Sequence, residues 1–132
     1  MEVEALIPEL WQRYPFLDDE RLPVRLGGIR EKDVAEWACE DGVERAVIYD
    51  DFARYLALAF HENRLPFAFC DAVLNDLHAV IESADDMRPD LFWDVYLAFD
   101  EGEFYHDGNR AEEPSETFTR PMIARIVGTF AR

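Results

Sequence analysis

Positive charge is scarce in this chain. Thirteen basic residues, with Lys32 the only lysine among them, face 29 acidic ones, for a net charge of −16 over 132 residues. That surplus repels phosphate backbones and anionic lipid but speeds encounter with cationic partners, so neither nucleic acid nor a membrane is an expected partner. Cysteine is scarce as well. Cys39 and Cys70 lie far apart without CxxC spacing, each within an apolar helical pattern, and both read as small buried thiols. No apolar stretch reaches the ~20 residues of a membrane span, and MEVEALIPEL lacks the basic start of a secretory signal. A reducing cytoplasm is the expected location.

Catalytic signatures are missing too. Gly27 and Gly28 form an isolated pair outside any GxGxxG or GxxxxGK[ST] frame, which argues against a phosphate cradle. Ser83 and Ser115 sit in acidic surroundings without the GxSxG turn that would expose a nucleophile. The three histidines and two cysteines show no chelating spacing, so no metal and no other cofactor is expected. On these grounds the chain does not read as an enzyme.

What the chain has in quantity is apolar periodicity. With 49% hydrophobic and 14% aromatic residues it is too rich to be disordered, and the acids must decorate a packed body. No segment repeats and no Gly/Ser or Pro-rich linker divides it. The expectation is one all-α domain over residues 1–132, a compact bundle of five or six helices. There is room for one short strand near 22–26 or 46–49. Residues 2–14 form a first helix interrupted or started by Pro8, and 30–41 a second, with Val34, Trp37 and Ala38 inward and Gly42 as its stop. Asp50 reads as the N-cap of DFARYLALAFHEN, expected to be central. Pro66 reads as part of the first turn of PFAFCDAVLNDLHAVIES, whose Phe67, Cys70, Leu74, Leu77 and Ile81 face the core. Asp90 is the expected cap of LFWDVYLAFDE, with Gly102 at its end, and Thr119 that of a last helix carrying Pro121 in its first turn. The stretch NRAEEPSE reads as a loop without an apolar anchor.

Two polar sets need a reading. On the fourth helical segment Asp71, Asn75, His78 and Glu82 share a stripe that superficially resembles a metal face. An amphipathic helix must place polar residues somewhere, so the expectation is a solvated stripe. In FDEGEFYHDG, the side chains of Asp100, Glu101, Glu103, His106 and Asp107 offer ligands within eight residues. They match neither the calcium-loop register nor HExxH, nor the paired ExxH of di-iron bundles. A small metal-dependent enzyme using this cluster stays open as an alternative, as does a subunit that self-associates through an apolar face.

Charge is regional. Residues 82–116 hold twelve acids and two arginines, whereas 117–132 hold three arginines and no acid. Helical spacing sets Asp90, Asp94 and Glu101 beside Trp93 and Leu97, and the following turn adds Glu103, Phe104, Tyr105 and His106. Acids interleaved with aromatics can steer a cationic surface onto apolar anchors, so Asp90, Trp93, Asp94, Glu101, Glu103, Tyr105 and His106 form the candidate partner-binding set. The competing reading packs Trp93 and Tyr105 in the core.

With FCDAVLNDL at 69–77, WDVYLAFDEGEFYH at 93–106 and TRPMI at 119–123, this acidic helical chain resembles the immunity proteins of bacterial polymorphic toxin and contact-dependent growth inhibition systems. The resemblance implies a protein without activity of its own. It would bind a cognate toxin domain, often a basic one, and occlude its active site.

Overall fold

Among the residues that the computed structural model describes, 1–14, 28–108 and 110–130, there are six α-helices and no strand. They are α1 Val3–Arg13, α2 Glu31–Asp41, α3 Arg45–His61, α4 Phe67–Ala84, α5 Asp90–Asp100 and α6 Arg120–Val127. A single helical turn at His106–Gly108 follows α5, and a wide turn at Ser115–Thr119 leads into α6. The chain is an all-α bundle. None of the described helices is long and apolar enough to cross a membrane.

The centre is α3, which touches each of the other five helices. Its sequence explains why: Ile48, Tyr49, Phe52, Ala53, Leu56, Ala57, Ala59 and Phe60 are all buried, leaving no broad polar face. Phe69, Cys70, Val73, Leu74, Leu77 and Ile81 of α4 and Phe92, Val95, Ala98 and Phe99 of α5 fill the same core. Phe60, Phe67 and Phe99 meet ring to ring, with centroids 5.1–6.3 Å apart.

The short strand has no place at 46–49, which lies in the first turns of α3, and 22–26 falls outside the described residues. The reason is burial. Ile48 and Tyr49 continue the apolar stripe of α3 toward its start, so the helix begins at Arg45 and Asp50 is internal. Asp50 still caps a helix, but another one: its Oδ1 accepts the Phe92 N–H at 3.2 Å, at the first turn of α5. Burial raises that carboxyl's pKa and the Phe92 hydrogen bond partly offsets the rise.

Other caps moved in the same way. Pro66 and Pro89 occupy the cap positions of α4 and α5, so Asp90 is the first helical residue and Pro66 stands just before its helix. Thr119 continues the backbone of the preceding turn and donates its hydroxyl to the Ala98 carbonyl at 2.6 Å, tying α6 to α5. Helix α1 starts at Val3 and runs through Pro8. Gly42 closes α2 in the left-handed conformation, as expected. Cys70 is buried but Cys39 is exposed, because α2 turns Val34 and Ala38 inward and leaves Cys39 off that face. The stretch NRAEEPSE does find an anchor, since Pro114 and Ser115 are buried at the start of the turn into α6.

Gly102 marks the tightest approach in this region. A Cβ there would sit 2.3 Å from Thr119 Oγ1 and 2.8 Å from the Phe67 ring. Gly102→Ala is therefore expected to destabilise by about 1–3 kcal/mol through overpacking, read as a fall in the urea midpoint. An unchanged midpoint would mean that the α5–α6 junction yields without strain.

Candidate functional site

Helices α4 and α5 are joined by residues 85–89 and pack against each other, which brings two separate sequence stripes face to face. From α4 come Asp71, Asn75, His78 and Glu82; from α5 and the turn beyond it come Trp93, Tyr96, Asp100 and Glu103. The stripe expected to be solvated is thus largely covered: Asp71, Asn75 and His78 are half-buried, and only Glu82 is exposed. The His78 ring lies 4.4 Å from that of Tyr96 and 5.7 Å from that of Trp93, with Trp93 and Tyr96 themselves 5.3 Å apart. Arg88 adds its guanidinium 3.5 Å above the Trp93 ring. Stacked rings with an edge of carboxylates result.

Charge is concentrated at the Tyr96 end. Burial first, then the fields of Asp100, Glu103, Asp71 and Glu82, raise the Tyr96 hydroxyl above its ordinary pKa. Asp100 is raised as well, by burial, by the Glu103 and Glu101 charges and by a hydrogen bond with Glu103; His78 acts in the opposite sense. Glu103 accepts from Asn75 Nδ2 at 2.9 Å, which fixes it across the two helices. His78 Nε2 lies 3.2 Å from Glu82 Oε1, near enough for charge attraction, but the two are not aligned as a hydrogen bond.

The seven candidate residues divide into two neighbourhoods. Asp90 and Asp94 are exposed on α5, and Trp93 is half-buried beneath Arg88. Beyond the helix end, His106 lies between Phe104 and Phe118, with ring centroids at 4.4 and 3.8 Å. Its Nε2 is 2.9 Å from the Glu101 carbonyl and 3.2 Å from Glu101 Oε2; two acceptors at one nitrogen imply that Nε2 carries the proton. Tyr105 is 41% exposed under the Arg110 guanidinium, which answers the core reading of this residue. Phe104, at 49%, and Leu97, at 36%, are exposed on the same segment.

The described side chains of the Asp100–Asp107 stretch do not converge as ligands: Glu101 turns to His106 while Glu103 reaches Asn75. Among the described residues no three His, Cys, Asp or Glu side chains group as ligands of one metal ion. Sequence reasoning missed Tyr96, Asn75 and His78 as parts of the face. The signal was available, since residues 93, 96, 100 and 103 keep helical spacing and a five-residue link makes α4 and α5 neighbours.

The repulsion at Asp100 has a measurable consequence. The folded chain holds this proton more tightly than the unfolded chain, so stability from this group is present at acid pH and lost as pH rises through its raised pKa. Asp100→Asn is expected to raise Tm at pH 7 by about 1–3 °C, and the gain over wild type should vanish toward acid pH. A lower Tm at pH 7, or a gain independent of pH, would contradict it.

No protein-family model, no curated protein and no solved structure matches the chain.

Proposed function

We propose that this chain is a non-catalytic binding protein of the immunity type, which neutralises a basic toxin domain by covering it with the α5 face. One observation carries the reading: Leu97, Phe104 and Tyr105 are exposed apolar side chains within the segment where acids outnumber arginines twelve to two. Exposed apolar anchors rimmed by charge of one sign suit a protein interface more than a solvated helix end. The polarity of the rim selects a cationic partner, and the overall charge of −16 disfavours nucleic acid and anionic membrane.

The charge reversal Glu82, Asp94 and Glu103 to Lys tests it. In a host expressing the product of the neighbouring gene, the wild-type chain is expected to restore growth and the reversed chain to fail. Equal protection by both would place the interface elsewhere, and no protection by the wild type would remove the immunity reading altogether.

A further inference from the structure

We infer that the cavity at the start of α2 is a binding site for a phosphate dianion, free or carried by a small ester, which is held between Arg30 and Lys32. The site uses none of the residues of the proposed docking face and stands or falls apart from it.

The composition of the wall is the first support. The cavity has a volume of about 340 Å³, near the lower end of the roughly 300–1,000 Å³ of small-molecule sites, and is lined by Arg13, Gly28, Arg30, Lys32 and Asp33. Three cations against one carboxylate invert the balance of a chain that has 13 basic and 29 acidic residues. A second cavity of similar size, about 320 Å³, shows what that composition ordinarily produces: Glu2, Glu4 and Asp51 line it, with Arg54 the only basic side chain.

The second support is that the charges are unspent. Elsewhere among the described residues the basic side chains pair with acids or lie over rings, Arg125 excepted. Arg30 and Lys32 do neither, in a chain rich in acids that could have met them. An unpaired cation is thus uncommon here, and two of the three line one cavity.

The rest of the wall is already satisfied. Asp33, the buried member, accepts from Arg13 Nη1 at 3.0 Å and from the Arg30 N–H at 2.9 Å, and Arg13 Nη2 also reaches Glu9 at 2.9 Å. The two charges left over are those of the Arg30 and Lys32 side chains. A phosphate dianion matches both, meeting the arginine as a planar fork and the lysine as a point charge, whereas a carboxylate neutralises only one. The missing glycine frame argues against a backbone cradle, not against capture by side chains. The overall charge of −16 opposes a polymer of phosphates spread over the surface. One small dianion meets chiefly the two cations beside it, since more distant charges are screened beyond ~10 Å at 0.1 M salt.

The test titrates the full chain with sodium phosphate, methyl phosphate and acetate at constant ionic strength and about pH 8, where phosphate is dianionic, with NMR detection. Both phosphates are expected to shift the Gly28, Glu31 and Lys32 amides to saturation. They should bind about fivefold more tightly than acetate, the value of one further exposed charge pair. Arg30→Gln and Lys32→Gln should each weaken phosphate about fivefold, and Lys32→Arg should bind as wild type does. Arg125→Gln removes the unpaired cation outside the cavity and should leave the affinity unchanged. All three positions are exposed, so the fold should hold, which the urea midpoint checks. No shift with either phosphate, shifts that do not saturate, acetate binding as tightly as phosphate, or the same loss from Arg125→Gln as from Arg30→Gln would overturn the inference. Tighter binding of the ester than of inorganic phosphate would assign the site to an organic phosphate, and equal binding to the free ion; either result upholds the dianion.

Discussion

Phe92→Ala is expected to lower the stability of the chain by about 3–5 kcal/mol, against the 5–15 kcal/mol that holds a typical domain together. Phe92 is completely buried where α5 crosses α3, with the Tyr49 ring centroid at 6.0 Å and that of Tyr96 at 6.2 Å. Truncation removes the transfer energy of a whole ring and leaves a hole that these neighbours cannot readily close. Tyr49 is held by its hydroxyl, which donates to the Asp86 carboxylate, and Arg45 Nε donates to the same Asp86 Oδ2 at 2.9 Å. Burial, then the neighbouring Asp86, pushes the Tyr49 hydroxyl well up, so it remains a donor through the ordinary pH range. The measurement is urea denaturation: the midpoint should fall with the slope unchanged. Equal midpoints for Phe92→Ala and wild type would mean that α5 turns a different face inward. Because Trp93, Tyr96 and Asp100 ride on that helix, a loosened α5 should also blur the proposed binding face.

Phe92, Phe60 and Leu74 were readable as core positions because apolar side chains recur at three and four residues along each helix, and a core needs such a stripe. The caps were not readable. A short polar residue before an apolar run is the signature of an N-cap, but Asp50 serves α5 and Thr119 serves α5's last turn. Local sequence states which backbone groups a side chain can satisfy, and tertiary packing decides whose they are. The candidate face was half legible for the same reason. Its exposed members, Asp94, Glu103 and Tyr105, announce themselves by composition, whereas Tyr96, His78 and Asn75 acquire meaning only once α4 lies along α5. Cys39 went wrong on the narrowest margin, one position beyond the buried Ala38.

Reversing Glu82, Asp94 and Glu103 to Lys together is expected to slow association with the product of the neighbouring gene roughly tenfold at low salt, with little effect on folding. All three side chains are exposed, so each reversal costs little beyond the local contacts it gives up, Glu82 with His78 and Glu103 with Asn75, and the urea midpoint of the reversed protein is to be measured beside its kinetics. The choice of positions matters. Asp90 is spared because an acid in the first turn of α5 complements the helix dipole, and Glu101 because its carboxylate pairs with His106. Glu82 lies near the carboxyl end of α4, where a lysine suits the dipole better than the native acid does. Rim charges act mainly on encounter, through a field screened beyond ~10 Å at 0.1 M salt, so the gap between the two proteins should narrow as salt rises. Tyr105→Ala and Leu97→Ala should behave differently, leaving association nearly unchanged while speeding dissociation, because desolvated anchors act after contact. Surface-binding kinetics at two salt concentrations separate the two effects. Wild-type association by the reversed protein at low salt would show that the acids of residues 82–116 solvate the helix ends and steer nothing.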